Sequence, residues 1–469
     1  MSYDSATLTN LVGDAKPAVF WTDRSDRPDP APPLGADTTA DLTIIGGGFT
    51  GLWAALVARS QDPGRDVLLL EAEVCGFGAS TRNGGFCSAS LTHGILNGLN
   101  HWPDEIDQLI EMGYANLDQL IADCRRAGIE AGIERTGQLQ IATADWQVDK
   151  LVMIRDLAAE LGLSLELLDQ EAIRGQVASP TYLQALLDRR GTALLDPARL
   201  AWGLRAACLD AGVRIHEQTR VRSTEQSRIG MVVATDGGSV STARVIVATN
   251  AWAEPERAIR RYVIPIYDHV LMSEPLSAEQ MSEIGWQGRQ GIEDSGNQFH
   301  YYRLTGDNRI LWGGYDAIYH RGNGMGLRYE LQTDSHELLA GHFFDTFPQL
   351  EGLGFTHRWA GPIGTTSKFT AAFGRGHGGA LVWIAGYTGL GVGASRWGAR
   401  TALDLVDGVD SERTRLTMVR RKPFPFPPEP LRHPLVQFTR RQLAQADGNR
   451  GQEGLWLRLL TAFGIGFDS

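Results

Sequence analysis

Three glycines near the start of the chain have the spacing of a dinucleotide-binding turn, Gly46-x-Gly48-x-x-Gly51. The first glycine permits a sharp turn, the second lets the backbone approach a pyrophosphate, and the third lets a helix pack on a strand. Glu71 follows Gly51 by 20 residues, where a carboxylate is placed to bind a ribose diol. An acid at this position disfavours NADP and leaves FAD and NAD open. The alternative is an ordinary glycine turn in front of a core helix.

The elements that would position this turn are also predicted by the sequence. Residues 42–45 read as a short strand, residues 52–58 as a buried helix, and residues 67–70 as a second strand that ends directly before Glu71. Together they form a βαβ unit, which is the context that the glycine motif requires. This agreement favours the dinucleotide interpretation over the ordinary turn.

Composition excludes several classes of protein. The chain has 469 residues, of which 43% are hydrophobic and 21% charged, so it can bury a large core and is not globally disordered. A formal net charge of −11 argues against binding to a nucleic-acid backbone. Four cysteines cannot supply a disulfide framework. Neither a secretory signal nor a membrane-spanning run is visible, so we expect a soluble, cytoplasmic protein.

The spacings of other common catalytic sites do not occur in the sequence. No lysine follows a glycine, as a phosphate-binding Walker loop requires, and neither HExxH nor GxSxG is found. No paired-histidine metal spacing is found among the eleven histidines. We therefore predict no metal site.

The rest of the chain alternates strands and helices before its character changes. Residues 256–354 are rich in aromatic residues and alternate in polarity, with a hairpin predicted around Gly306 between residues 299–303 and 310–313. Residues 1–38 are predicted to be an irregular arm, and the proline-rich residues 421–430 an extended strap. Further strands are predicted at 137–143, 213–221, 231–235, 240–248 and 381–385, and further helices at 103–131, 147–162, 197–212 and from after Gly393 to Val406.

A second glycine-rich stretch, Gly76-Phe-Gly-Ala-Ser-Thr-Arg-Asn-Gly-Gly85, follows Glu71. Its small residues let the backbone run along a flat ring system. With this stretch the chain resembles the FAD-dependent D-amino-acid oxidase superfamily, the group of glycine oxidase, sarcosine oxidase and γ-glutamylputrescine oxidoreductase. The run from Arg82 to Gly85 is closest to the last of these branches. Other matching segments are Asp196-Pro197, Ala248-Thr-Asn-Ala-Trp252, Trp359-Ala-Gly361 and Gly386-Tyr-Thr-Gly-Leu-Gly391.

This resemblance implies an α/β fold, in which a glutathione-reductase-like Rossmann domain binds FAD and an inserted antiparallel-sheet α+β domain binds the substrate. The predicted FAD-binding domain comprises residues 39–92, 190–255 and 355–410. The predicted substrate domain comprises residues 93–189 and 256–354, and residues 411–469 form a C-terminal strap and helix.

The resemblance also implies which residues contact the cofactor, and that FAD is held without a covalent bond. Sarcosine oxidases attach FAD through a late cysteine, whereas no cysteine follows Cys208 here, and Cys87 is interpreted as a small buried filler. The residues expected to contact FAD are Gly46, Gly48, Phe49, Thr50, Gly51, Glu71, Ala72, Gly78, Ala79, Ser80, Arg82, Asn83, Gly84, Gly85, Val221, Ala248, Thr249, Trp252, Gly386, Thr388, Gly389, Leu390, Gly391 and Val392.

The implied reaction is oxidation of the C–N bond of an amine or amino acid to an imine, with O2 as acceptor and hydrogen peroxide as product. In glycine oxidase-like members an arginine that grips the substrate carboxylate follows the Trp-Ala-Gly segment. Here Pro362-Ile363-Gly364 stand there, which favours an amine, or an acid held elsewhere by Arg303 or Arg309.

Three side chains are the candidates for the chemistry. His300 and Tyr302 lie two apart on an alternating strand and are predicted to face the substrate, with ordinary aromatic packing as the alternative. Lys368 is predicted to stabilise reduced flavin or superoxide, because Gly393 occupies the position of the sarcosine oxidase lysine; a solvated surface lysine is the alternative. A dehydrogenase that feeds a quinone or carrier, and a non-catalytic flavin-binding partner protein, stay open as alternative functions.

Overall fold

The computed structural model describes residues 5–228, 230–254, 256–462 and 464–465, so residues 1–4 of the predicted arm and 466–469 of the predicted C-terminal segment lie outside it. The helices are α1 Ser5–Asp14, α2 Phe49–Gln61, α3 Ile95–His101, α4 Ile106–Arg126, α5 Asp145–Glu160, α6 Gln170–Gln176, α7 Pro197–Asp210, α8 Ala278–Ile284, α9 Leu327–Glu330, α10 Asp334–Thr346, α11 Gly391–Asp407, α12 Glu412–Arg415, α13 Thr417–Arg420, α14 Arg432–Gly448 and α15 Leu455–Ala462. The strands are β1 Lys16–Pro17, β2 Thr38–Ile45, β3 Val67–Leu70, β4 Phe86–Ser88, β5 Gln138–Ala142, β6 Glu166–Leu168, β7 Gln184–Asp188, β8 Thr192–Leu194, β9 Arg214–His216, β10 Val221–Gln226, β11 Met231–Thr235, β12 Ser239–Val247, β13 Ile264–Ser273, β14 Gly291–Asp294, β15 His300–Leu304, β16 Ile310–Tyr319, β17 Phe355–Thr365, β18 Ala372–Gly376 and β19 Leu381–Ala385.

An eight-stranded sheet carries the glycine turn. Its strands run in the order β10-β11-β12-β2-β3-β9, with β19 beside β12 and β18 beside β19. Strand β2 pairs in parallel with both β3 and β12, and its side chains Leu42 and Ile44 are fully buried. Helix α2 connects β2 to β3 and packs against α7 and α11. The predicted βαβ unit is therefore confirmed, although its helix begins at Phe49, three residues earlier than expected.

A nine-stranded sheet in the order β1-β17-β13-β16-β15-β14-β5-β7-β6 forms the second layer. The predicted hairpin is confirmed, because β15 and β16 pair antiparallel across the turn. One row of directly opposed residues crosses four neighbouring strands of this sheet. It consists of Gln140, Glu293, Tyr301 and Gly313. Residues opposed in a sheet point to the same face, so this row defines one side of the sheet. Strand β17 belongs to this sheet, whereas its residues were assigned by sequence to the FAD-binding domain.

The opposite face of the nine-stranded sheet packs on helix α10. Tyr302, Trp312 and Leu271 lie on that face, in one apolar cluster with Phe343 and Phe347. Each of these five side chains is at most 1% exposed. This face is therefore core and has no room for a ligand.

The N-terminal arm is more ordered than its sequence suggests. Residues 5–14 form helix α1, which packs on α10, and β1 pairs in parallel with β17. The prediction of an irregular arm is wrong here because Val12 and Ala15 are buried in the same cluster as α10. Trp21 of the arm is also buried, with only 3% of its surface exposed.

The C-terminal residues lie over the nine-stranded sheet. Residues 422–428 have neither helix nor strand, as expected for a proline-rich strap. Helix α14 follows them, within the residues 411–469 predicted to form a strap and helix, and contacts β16 and α15. None of the helices in the described ranges combines the length and the apolar character needed to cross a membrane.

Candidate functional site

A cavity of about 1100 Å³ is lined by residues of both sheets. It reaches from the glycine turn, through the stretch from Phe77 to Gly84, to the face of the nine-stranded sheet that carries Tyr301. This volume is at the upper end of the range for small-molecule sites, roughly 300–1,000 Å³. The cavity can therefore hold a large ligand together with a smaller one.

The glycine turn forms one end of the cavity. Gly46 has a φ of +109°, a conformation that glycine adopts without strain. A Cβ atom on Gly51 would lie 1.9 Å from the carbonyl oxygen of Gly46, so only glycine allows α2 to pack this closely. Gly48 caps α2 and borders the cavity. Phe49 N–H donates to Ser80 Oγ, and the other N–H groups of the first turn of α2 face the space where a diphosphate would bind.

Glu71 is held beside this turn by backbone donors. Gly47 N–H donates to its Oε2 at 2.6 Å, and Glu73 N–H donates to its Oε1 at 2.9 Å. A carboxylate has about four acceptor sites, so both oxygens can still accept a hydroxyl. Burial raises the pKa of Glu71, while these two backbone bonds oppose the rise.

The stretch from Ala79 to Gly85 is pinned from several sides. Phe49 N–H donates to Ser80 Oγ at 3.0 Å, which joins the stretch to the start of α2. The Asn83 amide donates to Ala79 O and Ser80 O and accepts from Gly85 N–H. Two tryptophan indoles then fix the backbone from outside: Trp21 donates to Asn83 O at 3.0 Å, and Trp359 donates to Arg82 O at 2.9 Å.

Most of the residues predicted to contact FAD line this one cavity. Gly51, Gly85 and Gly386 do not, and each instead allows a close internal contact, such as the 2.1 Å that would separate a Gly85 Cβ from Leu195 O. Two of the lining residues, Thr249 and Arg82, each carry a buried polar atom without a hydrogen-bond partner, Oγ1 and Nε respectively. One elongated cavity thus combines small residues, buried polar atoms without hydrogen-bond partners and the start of a helix. This combination fits a flavin dinucleotide.

Tyr301 and Asp268 form the sheet side of the cavity next to this stretch. The Tyr301 ring lies against Gly84, because a Cβ there would come within 2.7 Å of the ring. The Tyr301 hydroxyl donates to Asp268 Oδ2. Burial raises the pKa of Asp268 to about 6, and the hydrogen bond from Tyr301 partly opposes that rise. Asp268, an acid–base group that titrates near neutrality, therefore lies beside the stretch from Ala79 to Gly85.

Glu293 supplies a second carboxyl group to the same face. It stands directly opposite Tyr301 in the sheet register and lines the cavity. Burial and the adjacent Asp294 raise its pKa to about 7. The sheet wall thus offers Asp268 and Glu293 beside Tyr301, and Asp294 and Asp188 of the same sheet also line the cavity. Such carboxyl groups suit a positively charged nitrogen better than a carboxylate.

The predicted facing of His300 and Tyr302 is wrong. Tyr302 points into the α10 core, where its hydroxyl hydrogen-bonds that of Tyr182 at 2.7 Å. His300 has both ring nitrogens engaged, with Asp294 at 2.6 Å and His342 at 2.9 Å, and does not line the cavity. The sequence correctly predicts that side chains along β15 alternate between the two faces of the sheet. Helix α10, however, covers the face that is predicted to meet the substrate.

Lys368 does not line the cavity either. Its ammonium lies 5.6 Å from the centre of the Trp102 ring, and burial lowers its pKa. Its neighbours Ser367 and Phe369 do line the cavity, so the lysine is turned away. At Gly393, a Cβ would lie 2.1 Å from Ser88 O, which leaves no room for a side chain at that position.

Neither Arg303 nor Arg309 replaces the missing carboxylate-binding arginine. The arginine on this part of the wall is Arg82, whose side chain packs against Gly361 and lines the cavity. Pro362, Ile363 and Gly364 line the cavity themselves. Arg303 is buried against Gly85, with Nη1 2.8 Å from Leu195 O, and Arg309 binds Asp307 at 2.7 Å. Neither of these arginines is among the cavity-lining residues.

Cys87 is fully buried on β4, a strand that packs against α11, whereas its neighbours Phe86 and Ser88 line the cavity. Burial raises the pKa of its thiol, so the reactive thiolate is disfavoured. This placement agrees with its interpretation as a buried filler.

Comparison with known proteins gives this arrangement a context. The family model described as FAD dependent oxidoreductase matches residues 41–405. Gamma-glutamylputrescine oxidoreductase of Escherichia coli is 33% identical over 402 residues, which cover 84% of this chain and 89% of the relative. Glycine oxidase from Bacillus cereus has a similar structure, with a TM-score of 0.67 at 19% identity over 82% of this chain and 99% of that one. L-proline dehydrogenase from P. horikoshii gives a TM-score of 0.64 at 18% identity over 81% and 96%.

Proposed function

Because this chain belongs to the family of FAD dependent oxidoreductases, we propose that it oxidises a C–N bond of an amine that carries no carboxylate beside the nitrogen. Bound FAD supplies a two-electron acceptor for the hydrogen on the carbon next to that nitrogen. The observation that carries the proposal is the sheet wall, which presents Asp268 and Glu293 while Pro362, Ile363 and Gly364 stand at the carboxylate-binding position. The E. coli relative, named for an amine, supports this class of substrate.

The cavity residues divide between the two halves of the cofactor. We assign the diphosphate to Gly46, Gly48 and the start of α2, and the adenosine ribose to Glu71. The stretch from Ala79 to Gly85 is assigned to the flavin ring, because its backbone is pinned by Trp21 and Trp359. Two bulky indoles behind a glycine-rich backbone give a rigid support for a flat ring.

Asp268 is the group that handles the substrate proton. An alkylamine is protonated at neutral pH and must lose one proton before its nitrogen lone pair can assist loss of the α-hydrogen. At pH 7 the Asp268 carboxyl, with a pKa of about 6, is mostly ionised and can take that proton. The Tyr301 hydroxyl holds the carboxylate by donating to Oδ2. The imine formed is hydrolysed by water to a carbonyl compound and ammonia or a smaller amine.

Anaerobic mixing with single substrates tests this function. We expect at least one simple amine to bleach the flavin absorbance, and glycine to bleach it far more slowly because no arginine follows the Trp359-Ala-Gly361 segment. Reduction by glycine or another α-amino acid, with no reduction by any amine, would overturn the proposal. The protein should be yellow as purified, and a colourless protein that cannot be reconstituted with FAD would also contradict it.

The electron acceptor defines a second candidate. None of the cavity-lining residues within the described ranges is a lysine, so the cation predicted to assist oxygen is not provided by that residue type. This favours a dehydrogenase that passes electrons to a quinone or carrier over a fast oxidase. Stopped-flow mixing of the reduced protein with oxygen decides between them, since slow reoxidation that an artificial acceptor accelerates indicates the dehydrogenase.

A further inference from the structure

The part of the chain that follows the family match contributes a wall of the cavity. The match ends at residue 405, whereas residues from Phe424 to Ile465 line the cavity at many points. We call the described residues 424–462 and 464–465 the C-terminal roof. The Asp447 carboxylate anchors it by accepting from the backbone N–H groups of Asn297 (2.9 Å) and Gln298 (3.0 Å). The loop between β14 and β15 is thereby fastened to α14.

Helix α14 turns an apolar stripe to the cavity. Leu435, Thr439 and Leu443 are four residues apart and therefore lie on one face, and all three line the cavity. They are only half-buried, and Ala446 is the fully covered apolar side chain of this helix. A helix that packs its apolar face on a core buries that face completely. This face instead meets open space inside the protein.

Apolar side chains also form the opposite side of that space. Leu96 of α3, Ile154 of α5 and Leu186 of β7 line the cavity, as do Trp456 and Leu460 of the roof. Leu186 belongs to the same row as Gln140, Glu293 and Tyr301, and lies three strands from Tyr301. At about 4.8 Å per strand this separation is roughly 14 Å. Gln140 stands between Glu293 and Leu186 in this row, and Asp188 also lines the cavity. A mainly apolar compartment therefore lies beyond Glu293 and Gln140, at a distance that an extended chain spans.

We propose that this compartment binds a hydrocarbon group, alkyl or aryl, of the amine substrate, while the amine nitrogen lies at Asp268 and Glu293. This inference rests on the proposed function, because it takes the substrate to be an amine. Within its described residues, the roof lines the cavity with no carboxyl group, so it offers nothing to a second ammonium. Its one charged lining residue is Arg440, which is already paired with Asp316 at 2.5 Å.

A series of n-alkylamines from butylamine to octylamine, measured on the FAD-loaded protein under anaerobic conditions, tests the compartment. Dissociation constants are taken from the perturbation of the flavin spectrum and from quenching of tryptophan fluorescence. We expect roughly a threefold to fourfold gain in affinity for each added methylene, the fold-change that corresponds to burying one CH2 group. The matching α,ω-diamines should show no such gain, because their second ammonium would lose water in an apolar space.

A pair of variants locates the effect. In Leu443→Glu, the gain per methylene of the alkylamines should disappear and the long diamines should bind more tightly. The control is Leu455→Glu, since Leu455 is 88% exposed on the outside of the roof, and it should keep the wild-type chain-length dependence. The ratio of flavin to protein absorbance, measured for each variant, reports whether its FAD-binding site is intact. If Leu443→Glu does not fold, the wild-type series still decides.

The outcomes separate this inference from the proposed function. Affinity that is independent of chain length, or diamines that bind as tightly as alkylamines, overturns the compartment even if amines reduce the flavin. Affinity that rises with chain length while no amine reduces the flavin supports the compartment and overturns the proposed reaction. Loss of the chain-length dependence in Leu455→Glu as well as in Leu443→Glu also overturns the assignment.

Discussion

The indole of Trp21 donates a hydrogen bond to the carbonyl oxygen of Asn83 at 3.0 Å, across 62 residues of sequence. Trp21 is 3% exposed and lies in a cluster with Trp359, whose indole donates to Arg82 O. The N-terminal arm therefore supports the backbone assigned to the flavin ring. We therefore expect the affinity for FAD to depend on a residue far from the glycine turn.

Trp21→Phe tests this support. The substitution keeps an aromatic ring but leaves Asn83 O without its donor, and such a loss costs about 1 kcal/mol. We expect the dissociation constant for FAD to rise roughly fivefold, as measured by titration of the apoprotein. The matched control is Trp286→Phe, which also removes an indole-to-carbonyl bond (3.1 Å to Gln290 O), but in the α10 core. Equal FAD affinity in Trp21→Phe and wild type would remove the proposed role.

Gly48→Val tests the diphosphate cradle. A Cβ at Gly48 would lie 2.9 Å from Ser80 Oγ, and a valine side chain would also project toward the helix start. We expect purified protein with little or no FAD, read from the ratio of flavin to protein absorbance. Gly35→Val is the control, since a Cβ there meets no atom within 4 Å. Full occupancy in Gly48→Val contradicts the cradle.

The pH dependence of flavin reduction tests Asp268. Its pKa is raised to about 6, so its ionised fraction, and with it the rate of reduction, should rise with pH through an inflection near pH 6. Asp268→Asn should lower the rate by about 100-fold or more and remove the inflection. Asp410→Asn, at an exposed position, should keep the wild-type profile. Stopped-flow absorbance measures both, and an unchanged inflection in Asp268→Asn would falsify the assignment.

The facing of β15 can be tested by two neighbouring tyrosines. Tyr301→Phe removes the donor to Asp268 and should slow flavin reduction by about tenfold or more. Tyr302→Phe removes the bond to Tyr182 in the core, so it should lower the free energy of unfolding by about 1–2 kcal/mol and leave the reduction rate unchanged. The reverse pattern would restore the assignment of Tyr302 to the substrate side.

The substitution Lys368→Met distinguishes the two interpretations of this lysine, as a group that assists oxygen or as a side chain without a role at the cofactor. The sequence interpretation expects slower reoxidation by oxygen, whereas the position of the ammonium over Trp102 predicts no change in either half-reaction. Stopped-flow rates of reduction by an amine and of reoxidation by oxygen measure both. Selective slowing of reoxidation would show that the lysine acts on the cofactor despite its orientation.

The cofactor cradle was predictable because its determinants are local. Gly46, Gly48 and Gly51 are specified by a turn, a close approach and a helix–strand contact, each of which depends on a few neighbouring atoms. The position of Glu71 follows from the length of the βαβ unit. Such local constraints can be recognised in the sequence as a fixed spacing of residues.

The substrate wall was not predictable in the same way. Alternation shows that Tyr301 and Tyr302 point in opposite directions, but which direction is core depends on where α10 packs. Asp268 and Glu293 lie on separate strands, and their approach to one cavity is set by sheet order. The part of the roof in α14 and α15 has no motif at all, because only the amphipathic face of α14 marks it.

The order of synthesis gives the roof a further meaning. A ribosome releases the glycine turn before helices α14 and α15, so the residues assigned to the cofactor emerge ahead of those of the roof. Once Val392 has emerged, the nascent polypeptide contains every residue assigned to FAD but none of the roof. On the proposed assignments, the residues that select one substrate over another are therefore synthesised after those that serve the redox chemistry.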